Sequence, residues 1–208
     1  MLSNVPVEPR TMALLKQLMA IRELHDFALV GGTALAIRYQ HRLSIDLYLF
    51  STKDFDNSAL VAILEQYFPT FSYRSTNNPI GVFGYIDDIK VDFVKHHRFP
   101  LIDALIIDDG VRFYSNKDIM AMKVAAILKR AVKKDFWDIA ELLKHYSLSD
   151  VLESYHKKYP DQRLAISIPF GITYFEDAEE SEDPISLKNQ TWQQVKKDIQ
   201  KKVSDYLR

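Results

Sequence analysis

The hydrophobic pattern of this chain changes its period near residue 115, and this change constrains the fold more than any other feature. Before that point, short apolar segments of strand length alternate with turn residues and helical stretches. From Ser115 onward, apolar side chains such as Ile119 and Met122 recur at helical spacing. A period of two is typical of strands and a period of 3.6 of helices. The sequence therefore predicts an α+β protein with strands and helices in residues 1–114 and mainly helices in residues 115–208.

The first part contains alternating strand and helix signals. The predicted elements are helix 9–25, strand 27–30, helix 33–40, strand 44–50, helix 57–68 with Asn57 or Ser58 as its cap, and strands 71–75, 80–86 and 90–94. The Asp87-Asp88 pair between two apolar alternations favours a tight turn, so the last two strands are predicted to form an antiparallel hairpin. In strand 44–50, Ile45, Leu47 and Leu49 are expected on one face.

The second part is predicted to consist mainly of helices. Two or three of them fill residues 116–159, with breaks near Val132 and Ser147, and a final Lys-rich helix covers about Thr191 to Leu207. The acidic run 176–183 is expected to be a solvated loop. The lysines of the final helix are interpreted as a solvated face, with binding of nucleic-acid phosphates as the alternative.

Composition excludes several kinds of site. The chain has no cysteine, which excludes disulfides, thiolate zinc sites and cysteine nucleophiles. Its 27 Lys and Arg nearly balance 28 Asp and Glu, so a nucleic acid would have to bind a local basic patch. No apolar run is long enough for a membrane helix, and residues 1–10 lack the pattern of a signal peptide. We therefore expect a cytoplasmic protein without membrane partners.

A diglycine turn follows the first predicted strand. Gly31, Gly32 and Thr33 lie where strand 27–30 gives way to a helix. Exposed amides at a glycine-rich helix start suit a polyphosphate, because the backbone can approach the ligand and the helix dipole favours negative charge. Asp46, on the next strand, could hold a magnesium ion against those phosphates. Taken alone, the turn favours a structural role in which Thr33 caps the helix.

Two aspartates lie within apolar strand segments. Asp46 is flanked by Ile45 and Leu47, and Asp92 by Val91 and Phe93. A buried carboxylate without a partner costs roughly several kcal/mol, so each needs a counter-charge, a metal or an exposed position. Each could simply face solvent. Together with the diglycine turn, however, the two carboxylates form a coherent candidate site.

Six short runs of sequence occur in an order that is typical of a known family. They are Gly31–Ala36, His41–Leu47, Asp118–Lys123 followed by Arg130, Lys134–Asp138, Tyr174–Glu179 and Thr191–Lys196. In this order they resemble the AbiEii/AbiGii family of nucleotidyltransferase-like toxins, over about residues 10 to 205. The resemblance implies a DNA-polymerase-β-like nucleotidyltransferase core, a mixed sheet with flanking helices, over residues 1–114, joined to a helical C-terminal region over residues 115–208.

The same resemblance implies a function and a set of site residues. The function is transfer of a nucleotide from an NTP to an RNA, with tRNA as the acceptor and magnesium as the cofactor, by a toxin that has a cognate antitoxin. By motif position, the triphosphate would be cradled by Gly31, Gly32 and Thr33, and the metal would be held by Asp46 and Asp92. The remaining implied site residues are Lys123 on phosphate, the acidic pair Asp135 and Asp138, and Arg42 and Ser44 near the nucleotide.

The second strand departs from the family pattern at Tyr48. The family has Asp-Leu-Asp where this chain has Asp46-Leu47-Tyr48. Strand residues two apart point the same way, which is how two aspartates share metal ions during phosphoryl transfer. A tyrosine is neutral near physiological pH, so magnesium binding is expected to be weak. The alternative function is therefore a catalytically impaired relative that binds a nucleotide, an RNA or a protein partner; a third is transfer to a small molecule.

The later motif residues also have structural interpretations. Lys123 lies on an apolar helix and could extend to the surface. Asp135 and Asp138 share a helix face, where two negative charges repel unless a cation lies between them. Lys134 or Arg130 could be that cation in a purely structural pair.

Overall fold

The computed structural model describes residues 5–208, which form seven strands and eight α-helices. The strands are β1 (Phe27–Val30), β2 (Leu47–Ser51), β3 (Ser72–Tyr73), β4 (Gly81–Ile86), β5 (Ile89–Lys95), β6 (Ile106–Asp108) and β7 (Val111–Phe113). The helices are α1 (Pro9–Ala20), α2 (Gly31–Tyr39), α3 (Asn57–Tyr67), α4 (Asn116–Arg130), α5 (Lys133–Leu142), α6 (Leu148–Lys158), α7 (Ile168–Thr173) and α8 (Trp192–Tyr206).

All seven strands belong to one mixed sheet in the order β3-β4-β5-β2-β1-β7-β6. The pairs β1–β2, β3–β4, β4–β5 and β6–β7 are antiparallel, whereas β2–β5 and β1–β7 are parallel. The four residues of β1 are all buried, and β2 alternates between buried and half-buried positions. A mixed sheet followed by helices confirms the predicted α+β fold.

The helices after Ser115 pack on one another and on α2. α5 contacts α2, α4 and α8, and α4 also contacts α6 and α7. A single cluster of buried apolar side chains includes residues of the sheet, such as Phe93, and of the late helices, such as Trp137. This packing brings the start of α2 close to α4 and α5, which is where the candidate site lies. None of the helices in residues 5–208 has the length and apolarity needed to cross a membrane.

Several predicted elements are confirmed. The helices of residues 116–158 are interrupted at Ala131–Val132 and before Leu148, close to the expected breaks. β4 and β5 form the predicted hairpin, with Asp87 and Asp88 at φ of 48° and 63°. A two-residue loop with positive φ at both positions matches the right-handed twist of the strands. The acidic run is largely exposed, although Ala178 within it is buried.

Other boundaries were predicted wrongly. The first helix ends at Ala20 and is followed by a single 3₁₀ turn. The cap of α3 is Asp56, whose carboxylate accepts a hydrogen bond from the amide of Ala59, whereas the Asn57 side chain donates to two backbone carbonyls. β2 begins only at Leu47, and Ile45 is 52% exposed instead of sharing a buried face with Leu49.

Candidate functional site

The diglycine turn joins β1 directly to α2. Gly31 has a φ of 75°, a left-handed conformation that strains any residue with a side chain. The capping position, Val30, offers no side-chain acceptor to the first amides of the helix. Because these N–H groups have no partner within a helix, they are free to bind an anion, and the helix dipole adds to the attraction.

A cleft of about 820 Å³ opens in front of this turn. Its polar lining includes Gly31, Gly32, Arg42, Ser44, Asp46, Tyr48, His96, Lys123, Lys129, Arg130, Lys134 and Asp135. Sheet residues therefore face residues of α4 and α5 across the cleft. Ligand pockets typically measure about 300–1,000 Å³, so this volume suits a small molecule of nucleotide size.

Asp138 is the centre of a buried cluster of charges behind the cleft. It is fully buried, and its carboxylate accepts from Arg42 Nε at 2.7 Å and Arg42 Nη2 at 2.9 Å. His41 Nε2 lies 2.7 Å from the carboxylate and Lys123 Nζ lies 2.6 Å from it. Burial by itself would raise the pKa of Asp138, but Arg42, Lys123 and the His41 hydrogen bond hold it well below its usual range. The aspartate is therefore a structural anion that joins three segments.

Asp135 is the second buried anion of the cluster. Lys123 Nζ lies 2.7 Å from its carboxylate, and Arg130 pairs with it at 2.9 Å. Burial by itself would lower the pKa of Lys123, but Asp135 and Asp138 raise it. Lys123 therefore does not extend to the surface. It is the cation that two aspartates on one helix face need between them. Of the two partners considered from sequence, Arg130 forms an ion pair with Asp135.

Lys134 differs from its neighbours because it lines the cleft without an ion-pair partner among residues 5–208. It is half-buried, and burial lowers the pKa of its ammonium group, with Asp46 nearby opposing that shift. Sequence reasoning considered Lys134 only as a partner of the neighbouring aspartates. The sequence does contain a signal for this position of Lys134. Consecutive helix residues face different directions, so a lysine next to a buried aspartate is expected to face away from the interior.

Thr33, Arg42 and Ser44 hold the segment before β2 in place. Thr33 is fully buried, and its hydroxyl donates to the backbone carbonyl of Asp46 and lies 2.8 Å from the Ser44 hydroxyl. A methyl group on Gly32 would lie 1.9 Å from the Arg42 guanidinium. The second glycine is thus required by the packing of Arg42. Among the predicted phosphate-binding residues, Gly31 and Gly32 line the cleft, whereas the Thr33 side chain is used inside the protein.

Asp46 and Asp92 are linked by a row of side chains on one face of the sheet. Tyr48 lies beside Asp92 in the parallel β2–β5 register. The Tyr48 hydroxyl donates to Asp46 at 3.2 Å, and Lys90 Nζ lies 3.3 Å from the same hydroxyl and 3.1 Å from the Asp92 carboxylate. Asp46 is half-buried and lines the cleft, whereas Asp92 and Lys90 line a smaller neighbouring pocket.

This row does not fit a magnesium ion, which the family resemblance implies and for which Tyr48 predicts weak binding. Magnesium requires several oxygen ligands in a near-octahedral arrangement. Here a phenol separates the two carboxylates, and an ammonium group already binds one of them. Sequence reasoning identified Tyr48 as a departure but gave no role to Lys90.

Residues 13–207 match the family described as nucleotidyl transferase AbiEii toxin, type IV toxin–antitoxin system. An uncharacterized protein of Aquifex aeolicus (strain VF5) is 33% identical over 200 residues, which cover 93% of this chain and 94% of that protein.

Solved structures share the fold. A putative nucleotidyltransferase from H. pylori superimposes with a TM-score of 0.60 at 18% identity, covering 94% of this chain and 91% of that one. MenT4, a nucleotidyltransferase toxin from Mycobacterium tuberculosis, superimposes with a TM-score of 0.54 at 15% identity, covering 94% of this chain and 84% of that one. At these identities the likeness establishes the nucleotidyltransferase fold.

Proposed function

Since this chain belongs to the AbiEii family of nucleotidyl transferase toxins of type IV toxin–antitoxin systems, we propose that it binds a nucleoside triphosphate in the cleft beside α2 and transfers the nucleotide to an RNA acceptor. tRNA is the acceptor to test first. The observation that carries the proposal is the meeting, in one cleft, of helix amides without a side-chain cap, a lysine that has no ion pair among residues 5–208 and a half-buried carboxylate. The proposed setting is the cytoplasm, with a cognate antitoxin as a further partner.

The phosphates are assigned to the side of the cleft formed by α2 and α5. The amides of Gly31 and Gly32 provide hydrogen-bond donors at a helix start, where negative charge is favoured. Lys134 provides an ammonium group that no carboxylate neutralises by direct contact within the described chain. Arg130 adds a guanidinium whose side chain is 51% exposed although it pairs with Asp135. Together these groups offset part of the charge of a triphosphate.

Asp46 is assigned the role of base. An RNA hydroxyl attacks the α-phosphorus and forms a new P–O bond, while the bond from that phosphorus to the bridging oxygen breaks and pyrophosphate leaves. Asp46 accepts the proton of the hydroxyl, and Lys134 and Arg130 stabilise the charge that develops on pyrophosphate. Asp135, Asp138, Lys123 and Arg42 are assigned positioning roles, because their charged groups contact one another.

A second function is favoured by Tyr48. Its ring takes the position of a carboxylate that the family pattern provides, and its hydroxyl donates to Asp46. This hydrogen bond occupies a lone pair of the carboxylate that is proposed as the base. Under this alternative the protein binds a nucleotide, or an RNA or protein partner, and transfers nothing.

The test is label transfer from each of the four α-³²P-labelled NTPs to total tRNA, with nucleotide binding measured in parallel by calorimetry. Transfer that is lost in Asp46→Asn and retained in Asp205→Asn, an exposed position on α8, supports the proposal. Binding without transfer supports the second function. If none of the four NTPs binds, the transferase proposal fails, and so does the form of the second function in which a nucleotide is the ligand.

A further inference from the structure

A lysine of the protein contacts one of the two expected metal ligands, since Lys90 pairs with Asp92. Lys90 and Asp92 are two residues apart on β5, so their side chains extend from the same face of the sheet. Tyr48 is paired with Asp92 across the β2–β5 ladder and therefore extends from that face as well. The three side chains meet above the sheet, together with the carboxylate of Asp46.

The Lys90 ammonium is held at three points. It lies 3.1 Å from the Asp92 carboxylate, 3.3 Å from the Tyr48 hydroxyl and 5.0 Å from the centre of the Tyr48 ring. A phenol ring attracts a cation to its face, and its hydroxyl oxygen accepts a hydrogen bond. Tyr48 thus provides two of the three contacts of the Lys90 ammonium. An aspartate at position 48 would offer no ring, and it would not keep the carboxylates of Asp46 and Asp92 apart.

The charge balance agrees with this geometry. Asp92 is 3% exposed, and Lys90 is the only cation that forms an ion pair with it among residues 5–208, through Oδ2, while Oδ1 has no hydrogen-bond partner. The Lys90 ammonium is in direct contact with this carboxylate, and a lysine is ordinarily charged at physiological pH. A divalent ion placed on Asp92 would have to displace this ammonium group or lie directly beside it, and like charges repel.

We propose that the Lys90 ammonium, fixed by Tyr48 and Asp92, replaces a divalent cation in this protein. The inference has two halves. The apo protein binds no manganese or magnesium at Asp46 and Asp92, and the cleft binds a nucleoside triphosphate without metal. The second half of the inference rests on the proposed function, whereas the first half does not. The cleft amides and Lys134 then provide the neutralisation that an ion would otherwise provide.

Manganese binding tests the first half directly. Titration of the full-length wild-type protein with MnCl₂, followed by electron paramagnetic resonance, is expected to leave the free-ion signal at its protein-free amplitude. The double variant Tyr48→Asp/Lys90→Met is expected to bind one or more ions and to reduce that signal. Lys95→Met, which removes a lysine from the same strand, is expected to behave like the wild type. Stoichiometric binding by the wild type overturns the proposal, whether or not the double variant folds.

Nucleotide affinity tests the second half. The Kd for whichever NTP binds, measured by calorimetry in EDTA and again in MgCl₂, is expected to differ by less than about threefold. A loss of about tenfold or more in EDTA overturns the metal-free inference while leaving the proposed function intact. If no NTP binds in either buffer, the proposed function fails, and the manganese titration alone decides the role of Lys90.

Discussion

Arg42 and Asp138 face each other in a two-point ion pair, with Nε and Nη2 of the guanidinium 2.7 and 2.9 Å from the two carboxylate oxygens. Both side chains are buried, and the pair joins the segment before β2 to α5. A fork-shaped donor on a planar acceptor fixes orientation as well as distance. The position of Asp46 in the cleft therefore depends on the ion pair of Arg42, which lies four residues earlier in the chain.

Asp138→Ala is expected to destabilise the protein strongly. The substitution leaves Arg42 and Lys123 buried with less counter-charge, and breaking a buried ion pair from one side costs about 3–5 kcal/mol. The free energy of unfolding from urea denaturation measures the loss. Glu153→Gln removes a carboxylate from an exposed pair with Lys157 and is expected to leave the unfolding free energy unchanged. Equal stabilities of the two variants would contradict the structural role of the cluster.

Gly32→Ala is expected to destabilise the protein although alanine favours helices. The new methyl group would lie 1.9 Å from the Arg42 guanidinium, which Asp138 holds in place. Overpacking of this kind costs about 1–3 kcal/mol, which exceeds the helix preference of about 1 kcal/mol. Thermal unfolding measures the change. Ser149→Ala, at an exposed position of α6, is the matched control and should not lower the melting temperature. An unchanged melting temperature for Gly32→Ala would show that Arg42 can move aside freely.

Lys134→Met is expected to weaken NTP binding about tenfold, because a hydrogen bond to a charged group contributes about 1.5 kcal/mol or more. Stability should be little affected, since Lys134 has no ion pair within the described residues to lose. Calorimetric titration at two salt concentrations measures the affinity and its electrostatic part. Lys197→Met, on the exposed face of α8, should bind like the wild type. Unchanged affinity in Lys134→Met would remove this lysine from the phosphate site.

His96 is expected to make stability pH-dependent. It is buried among Phe50, Phe99 and Tyr114, and burial, together with nearby Lys158, lowers its pKa from 6.5 to about 3. Below pH 6.5 the unfolded chain therefore binds a proton that the folded chain does not bind. Stability should fall as the pH decreases from about 6.5 toward 3, by up to about 1.4 kcal/mol per pH unit.

His96→Phe should remove from the pH dependence of the unfolding free energy nearly all of the slope that one bound proton contributes. Urea denaturation at intervals between pH 7 and pH 4.5 gives the slope for each variant. In contrast, His156→Gln, at an exposed position of α6, should keep the slope of the wild type. Identical slopes for wild type and His96→Phe would mean that His96 binds its proton in the folded protein.

Local signals in the sequence determined much of the fold. The breaks near Val132 and Ser147 follow from helix capping and periodicity, and a Ser147–Asp150 capping box is present at the second. The hairpin turn follows from two adjacent aspartates that tolerate positive φ. The cap of α3 was assigned wrongly because Asp56, Asn57 and Ser58 are all favourable caps, and only the tertiary contacts of Asn57 decide among them.

The site was less predictable because its contacts join distant segments. The need for a cation between Asp135 and Asp138 followed from their spacing, but no local rule selects Lys123, which lies in the preceding helix. Lys90 could be recognised only once the parallel β2–β5 register placed Tyr48 beside Asp92. The division of the chain at residues 114 and 115 and the roles of the site residues remain predictions.

The cluster around Asp138 also limits how this chain can diverge. Four charged or polar side chains, from the segment before β2 and from α4, share two buried carboxylates of α5. A change at His41, Arg42 or Lys123 alone removes a partner that the others cannot replace, so viable lineages should alter these positions jointly or leave them fixed. Tyr48 and Lys90 form a second such unit, and we expect descendants that regain an aspartate at position 48 to have lost the lysine at position 90.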